Sequence, residues 1–184
     1  MLRSIRLVGA CLFSAMLLME PSYASDDPNV KTVTVSELGP VKVGAEFPTF
    51  GGHTLSNDYV SLRSLIGQDK TIIVSYFATW CQPCRVGLPK IEKFVQENDN
   101  VVAIYIALGE KSSAPVSKLV SELNLKSPIL MDKFESIGVR HGVVVEGMET
   151  VLPRTFVIKS DGTVKTIFTV EGEDFSTQLL EQLK

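Results

Sequence analysis

Thr71-Ile72-Ile73-Val74-Ser75-Tyr76-Phe77-Ala78-Thr79-Trp80-Cys81-Gln82-Pro83-Cys84 is the stretch on which the fold turns. Its first seven residues are β-branched or aromatic apart from one serine and show no polar alternation, which predicts a buried central strand. That strand runs straight into two cysteines separated by two residues. Beyond them Leu88, Ile91, Phe94 and Val95 recur at helical spacing until Asn98-Asp99-Asn100 ends the pattern, so the cysteines open a helix, which Pro89 should kink. A sulfur at such a junction faces unpaired backbone N–H groups and the positive end of the helix dipole. Both lower the Cys81 pKa below the free value of about 8.5. Cys84, one turn later, can reach the same sulfur. The chemistry that follows is attack by Cys81 on a disulfide, a mixed disulfide with the partner, and release of the partner when Cys84 attacks Cys81.

Two other uses of the pair are half of a zinc site and a structural staple. Zinc normally takes four ligands, and besides the thiols the chain offers only His53 and His141, neither with a neighbour at metal-ligand spacing. A staple across so short a loop would stabilise the fold by only about 2 kcal/mol, against about 4.7 for a hundred-residue loop. The third cysteine, Cys11, sits in what reads as an export signal at 1–24. There Arg3 and Arg6 form a basic start, Leu7 to Met19 an apolar stretch, and Ser22-Tyr23-Ala24 a small-x-small cleavage site. As an uncleaved anchor the apolar stretch is short, reaching about 20 Å as a helix against a hydrocarbon core of roughly 30 Å. A lipoprotein signal at Val8-Gly9-Ala10-Cys11 is disfavoured because Arg6 leaves no apolar region before Cys11. Cleavage after Ala24 leaves Cys81 and Cys84 alone, exported to a compartment where disulfides can persist, and the expected compartment is the periplasm. It also removes Arg3, Arg6 and Glu20 and takes the net charge from -3 to -4, which argues against a nucleic-acid partner.

With 184 residues, 45% of them hydrophobic, one core and one domain are expected. Residues 25–44 are polar and irregular and read as a tether, with Val33 and Val35 a candidate edge strand; 45–184 form the domain. Phe47 to Leu65 suggests a hairpin and a short helix. Strands are expected at Val101 to Ala107 and Pro128 to Met131, and helices at Pro115 to Leu123 and Asp132 to Arg140. A hairpin follows, Arg154 to Lys159 and Thr163 to Val170 joined across Ser160-Asp161-Gly162. Phe175, Leu179, Leu180 and Leu183 give the last helix an apolar face. Alternating strands and helices mark an α/β fold.

Phe77-Ala78-Thr79-Trp80-Cys81-Gln82-Pro83-Cys84-Arg85, with Pro89 after it, resembles the active-site segment of the thioredoxin superfamily, and within it the exported TlpA/ResA-like thiol-disulfide oxidoreductases. Leu152-Pro153-Arg154-Thr155-Phe156-Val157-Ile158, followed by Asp161-Gly162, resembles the stretch that begins with the superfamily's cis-proline. The resemblance implies a central mixed β-sheet flanked by helices, with an N-terminal hairpin extension and an αβ insertion at Pro115 to Met131. It also implies that Pro153 faces Cys81, and that Trp80, Gln82, Pro83, Leu152, Pro153 and Arg154 receive the bound polypeptide. No cofactor beyond the redox-active disulfide and no metal is implied. The expected partners are protein disulfide substrates, among them apocytochrome c or copper-site proteins of respiration, and a membrane thiol-disulfide electron donor. A monomer is expected.

The sequence departs from the family in two places. Thioredoxins carry a buried aspartate where this chain has Ser75, and ResA-like reductases carry a glutamate where it has Gly87. A buried carboxylate there would hold and pass a proton, so proton transfer falls to water or to an unidentified side chain. Arg85 and Arg154 stand nearby instead, and a cation such as Arg154 would lower the Cys81 pKa. Reduction of partner disulfides is the leading activity. An oxidase or isomerase is the alternative, because a stabilised thiolate makes the disulfide more oxidising. A Cu(I) carrier using both thiols, assisted by His141 or Met148, is the alternative of another class. A peroxidase fits less well without the Thr-x-x-Cys pocket of peroxiredoxins. Residues 144–151 form a segment longer than relatives carry and are a candidate for partner selection. Trp80 either covers the disulfide or packs in the core, and Met131 and Met148 are expected to pack.

Overall fold

The computed structural model describes residues 41–183, so the expected export signal, the tether up to residue 40 and the Val33/Val35 strand lie outside the described residues. The first described residues are docked: Val41 packs on the core, Gly44 donates to the Val164 carbonyl and Val164 donates to that of Ala45, both at 2.9 Å. Strands β1 (Gly51–His53) and β2 (Tyr59–Ser61) form the antiparallel N-terminal hairpin. The helix expected after it is a single 3-10 turn, Leu62–Ser64, capped by the Ser61 hydroxyl. It goes no further because Gly67, at φ +83°, turns the chain so that its N–H donates to Ser160.

The sheet contains β3 (Thr71–Phe77), β4 (Val101–Leu108), β5 (Ile129–Asp132), β6 (Arg154–Ile158) and β7 (Val164–Phe168) in the spatial order β5-β4-β3-β6-β7. β3, β4 and β5 are parallel, and β6 and β7 are each antiparallel to their inner neighbour. The helices are α1 (Gln82–Glu97), α2 (Ser113–Glu122), α3 (Ser136–Arg140) and α4 (Phe175–Glu181). β3 is central and buried on both faces. Ile73, Ser75 and Phe77 point to the side of α1, α2 and α4, where Leu88, Ile91, Leu119, Phe175 and Leu179 pack. Ile72, Val74 and Tyr76 point to the other side, onto Phe47, Phe50, Val143 and Phe156. The expected mixed sheet, hairpin and αβ insertion are all present.

Two expectations fail locally. The helix expected over Asp132 to Arg140 is only five residues long, because Asp132 ends β5 and its carboxylate accepts from the Gly138 N–H at 2.7 Å, while Glu135 takes a left-handed φ of +59°. Leu180 does not join the apolar face of α4: Phe175, Leu179 and Leu183 follow a four-residue spacing onto the core, and Leu180, one step round the helix, is exposed.

Candidate active site

β3 delivers the chain to a turn in which the Cys81 N–H donates to the Ala78 carbonyl, and Cys81 then caps α1. Its Sγ accepts from the Cys84 N–H at 3.3 Å, as the sequence predicts for a sulfur at a helix start. Pro83 sits in the first turn, where its missing N–H would have had no partner. Cys81 and Cys84 are joined in a disulfide. Cys81 is 3% exposed and Cys84 fully buried.

The rim is more open. Gln82 and Pro83 are exposed, and Trp80, at 67% exposed, is a surface ring and not a core aromatic. Trp80 lines a cleft of about 290 Å³ with Arg85, Pro115, Leu119 and Glu122. Arg85 does not point its charge at the sulfurs: its guanidinium donates to Glu122 at 3.2 Å and to the Thr79 carbonyl at 3.5 Å. The Thr79 N–H donates to Glu110 at 2.6 Å, fixing the turn before the cysteines.

From the other flank, the Leu152-Pro153 peptide is cis, as the resemblance implies. Arg154 pairs with Tyr76, so Pro153 stands one step further toward the end of β3 that leads into the cysteines. Leu152 packs against the core cluster that holds Cys81 and Cys84. Half-buried Arg154 lines a second cleft, of about 450 Å³, with Gly142, Val145, Met148 and Val151, and its Nε has no hydrogen-bond partner. Met148 is 70% exposed, so it is not the packing residue expected, whereas Met131 packs against the core.

His141 is buried on the face of the sheet away from the cysteines. Its Nδ1 pairs with the Tyr76 hydroxyl at 2.5 Å and its Nε2 with the Pro48 carbonyl at 2.9 Å, so neither nitrogen is free to assist copper at the thiols. Burial lowers its pKa to about 3. His53 is exposed and pairs with the Asn57 carbonyl. Among the described residues no three His, Cys, Asp or Glu side chains form a group that could hold a metal.

Sequence reasoning missed Glu171, in the connection from β7 to α4. It is 5% exposed, and its Oε1 accepts from the Thr155 hydroxyl at 2.6 Å. The same hydroxyl lies 2.7 Å from that of Ser75, the residue in place of the thioredoxin aspartate. Glu171 Oε2 has no hydrogen-bond partner and lies 1.4 Å from where a Cβ on Gly87 would stand. The carboxylate therefore fills the space at Gly87 and is linked to Ser75 through Thr155, the two positions at which the family acids are missing being Gly87 and Ser75. Burial raises its pKa to about 7, with the Thr155 hydrogen bond and the Lys90 charge opposing. In sequence it lies in Val170-Glu171-Gly172-Glu173-Asp174, which reads as a solvated acidic loop. The only hint was Gly87 itself, a helix-interior glycine without a local reason.

Comparison with known proteins agrees with this geometry. A profile described as the AhpC/TSA family matches residues 43–167. Thioredoxin-like protein YneN of Bacillus subtilis is 31% identical over 140 residues, covering 74% of this chain and 76% of its own. Thiol-disulfide oxidoreductase ResA of Bacillus thuringiensis is 29% identical over 145 residues, covering 78% of each. A crystal structure of a thiol:disulfide interchange protein DsbE from Chlorobium tepidum superposes with a TM-score of 0.67 over 78% of this chain and 96% of its own, at 16% identity, a likeness of fold.

Proposed function

We propose that this chain, which belongs to the AhpC/TSA family and is a thiol-disulfide oxidoreductase, works outside the cytoplasm as a reductant of protein disulfides. In the reducing direction the Cys81 thiolate attacks a partner disulfide and forms a mixed disulfide. Cys84 then attacks Cys81 Sγ, the partner leaves with both electrons, and the Cys81–Cys84 bond closes. A membrane thiol-disulfide donor reopens that bond. The recipients we propose are apocytochrome c or respiratory copper-site proteins.

The observation that carries the reducing direction is the engagement of Arg85. An oxidant of this kind depends on a stabilised thiolate, and the cation next to Cys84 is held by Glu122 and the Thr79 carbonyl instead. One observation favours the oxidising alternative: the guanidinium of Arg154, beside the cis-proline, has a buried Nε without a partner, and so does that of Arg85. The equilibrium reduction potential, titrated in thiol-disulfide buffers with Trp80 fluorescence as the signal, separates the two. A value near or below about -270 mV supports the reductant and one nearer -120 mV makes it an oxidant. Replacing Cys84 with serine should accumulate the mixed disulfide with a protein substrate, and replacing Cys81 should abolish it.

A further inference from the structure

Helix α1 carries Cys84 and Gly87 three residues apart, so the two face the same side, with Cβ positions about 5–6 Å apart on such a helix. A helical Cβ leans toward the N-terminus, in this case toward the turn that holds the cysteines. The Gly87 position has no side chain, and Glu171 Oε2 stands 1.4 Å from where its Cβ would be. A carboxylate from the β7–α4 connection, 84 positions along the chain, thus occupies the space of a Gly87 side chain, one helical turn after Cys84. It is held there from below by Thr155, whose single hydroxyl proton goes to Oε1 while its oxygen is left to accept from Ser75. That leaves Oε2 buried and unpaired at the Gly87 position, one helical turn after Cys84.

We propose that Glu171 is the proton-handling group for Cys84, taking the thiol proton as the ring closes and returning it as the ring opens. When Cys84 attacks Cys81 Sγ, the Cys84 S–H proton passes to Oε2, the Cys81–partner S–S bond breaks, and the Cys81–Cys84 bond forms. The partner leaves as a thiolate that takes its proton from water. In the reverse step the protonated carboxyl protonates Cys84 as the bond opens. The inference rests on disulfide exchange at this pair and not on the direction of net flow.

The surroundings suit a carboxyl that changes protonation state. Ser75 on β3 and Thr155 on β6 face it without charge, the Tyr105 hydroxyl on β4 is neutral and held by Glu92 of α1, and the cation near it is Lys90 of α1, whose Nζ donates to the Gly172 carbonyl. Burial of the carboxyl places its titration near neutrality, where a proton carrier works in both directions.

The experiment follows ring closure by Trp80 fluorescence after mixing the reduced protein with oxidised glutathione, from pH 5 to 9. Glu171→Gln should slow closure at least tenfold at pH 7 and remove the inflection near that pH, while the first attack by Cys81 changes less than twofold. Glu171→Gly combined with Gly87→Glu, which clears the space and returns a carboxylate to it from α1, should recover at least a third of the wild-type closure rate. A closure rate and pH profile in Glu171→Gln that match the wild type overturn the proposal, whereas a wild type that never closes strikes the exchange reading itself. A measurement that needs no variant is the carbon-13 titration of the Glu171 carboxyl in the oxidised and reduced wild-type chain. Its midpoint should move by at least half a pH unit on reduction, and an unmoved midpoint overturns the role.

Discussion

Gly87 lies inside α1, where glycine costs about 1 kcal/mol relative to alanine. Adding a methyl group should therefore help, but the geometry reverses the sign. The new Cβ would meet not only Glu171 Oε2 but also its Cδ at 2.4 Å and its Cβ at 2.8 Å, so turning the end of the side chain does not clear the clash. Gly87→Ala is expected to destabilise the protein by about 1–3 kcal/mol. In a Glu171→Gly background, which removes all three of those atoms, the same change should stabilise by about 0.5–1 kcal/mol through helix propensity alone. Urea unfolding of the four proteins measures the coupling, and additive effects would mean that the two residues do not compete for one space. The same pair shows where sequence reading stops at this scale. Cys81 and Cys84 declare themselves by spacing, and Pro153 by the residues around it. Glu171 does not, because its burial depends on a contact 84 positions away and its neighbours are those of a surface loop.

At the scale of elements, legibility followed hydrophobic pattern. β3 occupies the residues that its β-branched run predicts, and β4 extends one residue beyond its own. α3 falls short of expectation because the fate of Asp132 to Glu135 is decided by a side-chain-to-backbone bond and a left-handed residue, which leave no periodic trace. His141, just after α3, ties that helix to β3 through Tyr76 and to the segment before β1 through the Pro48 carbonyl. Burial first, and then the charge of Arg140, keeps it neutral in the fold, with its pKa lowered from 6.5 to about 3. A lowered histidine pKa means that the unfolded chain binds the proton more readily. This contribution to stability is therefore present above pH 6.5 and is lost as pH falls from there toward 3. Relative to His141→Phe, the wild type should lose about 1.4 kcal/mol per pH unit over that window, as measured by urea unfolding at several pH values. Parallel pH profiles would show that His141 protonates freely in the folded protein.

Across the whole molecule, the disulfide lies between two clefts that the fold builds from different sources. One lies between the start of α1 and α2 of the αβ insertion; the other lies between Arg154 and the segment from Gly142 to Val151. The buried sulfurs give a partner little to hold, since Cys81 is only 3% exposed, so recognition has to come from the rim. On the second side that rim is apolar: Val145, Met148 and Val151 are exposed together beside the cis-proline. A polypeptide would cover these side chains, whereas a small disulfide would not reach them, so the segment should discriminate by size. Replacing all three with serine should leave stability within about 0.5 kcal/mol, because the side chains are already solvated. The loss of apolar burial on docking should lower kcat/KM about tenfold for reduction of a protein disulfide such as insulin. Reduction of oxidised glutathione should change less than twofold, because that reaction uses only the sulfurs and the end of α1. If both substrates slow equally, the segment supports the geometry of the cysteines and does not select the partner. If neither slows, docking runs along the α2 side, and the same comparison made at Pro115 and Leu119 would then show the loss.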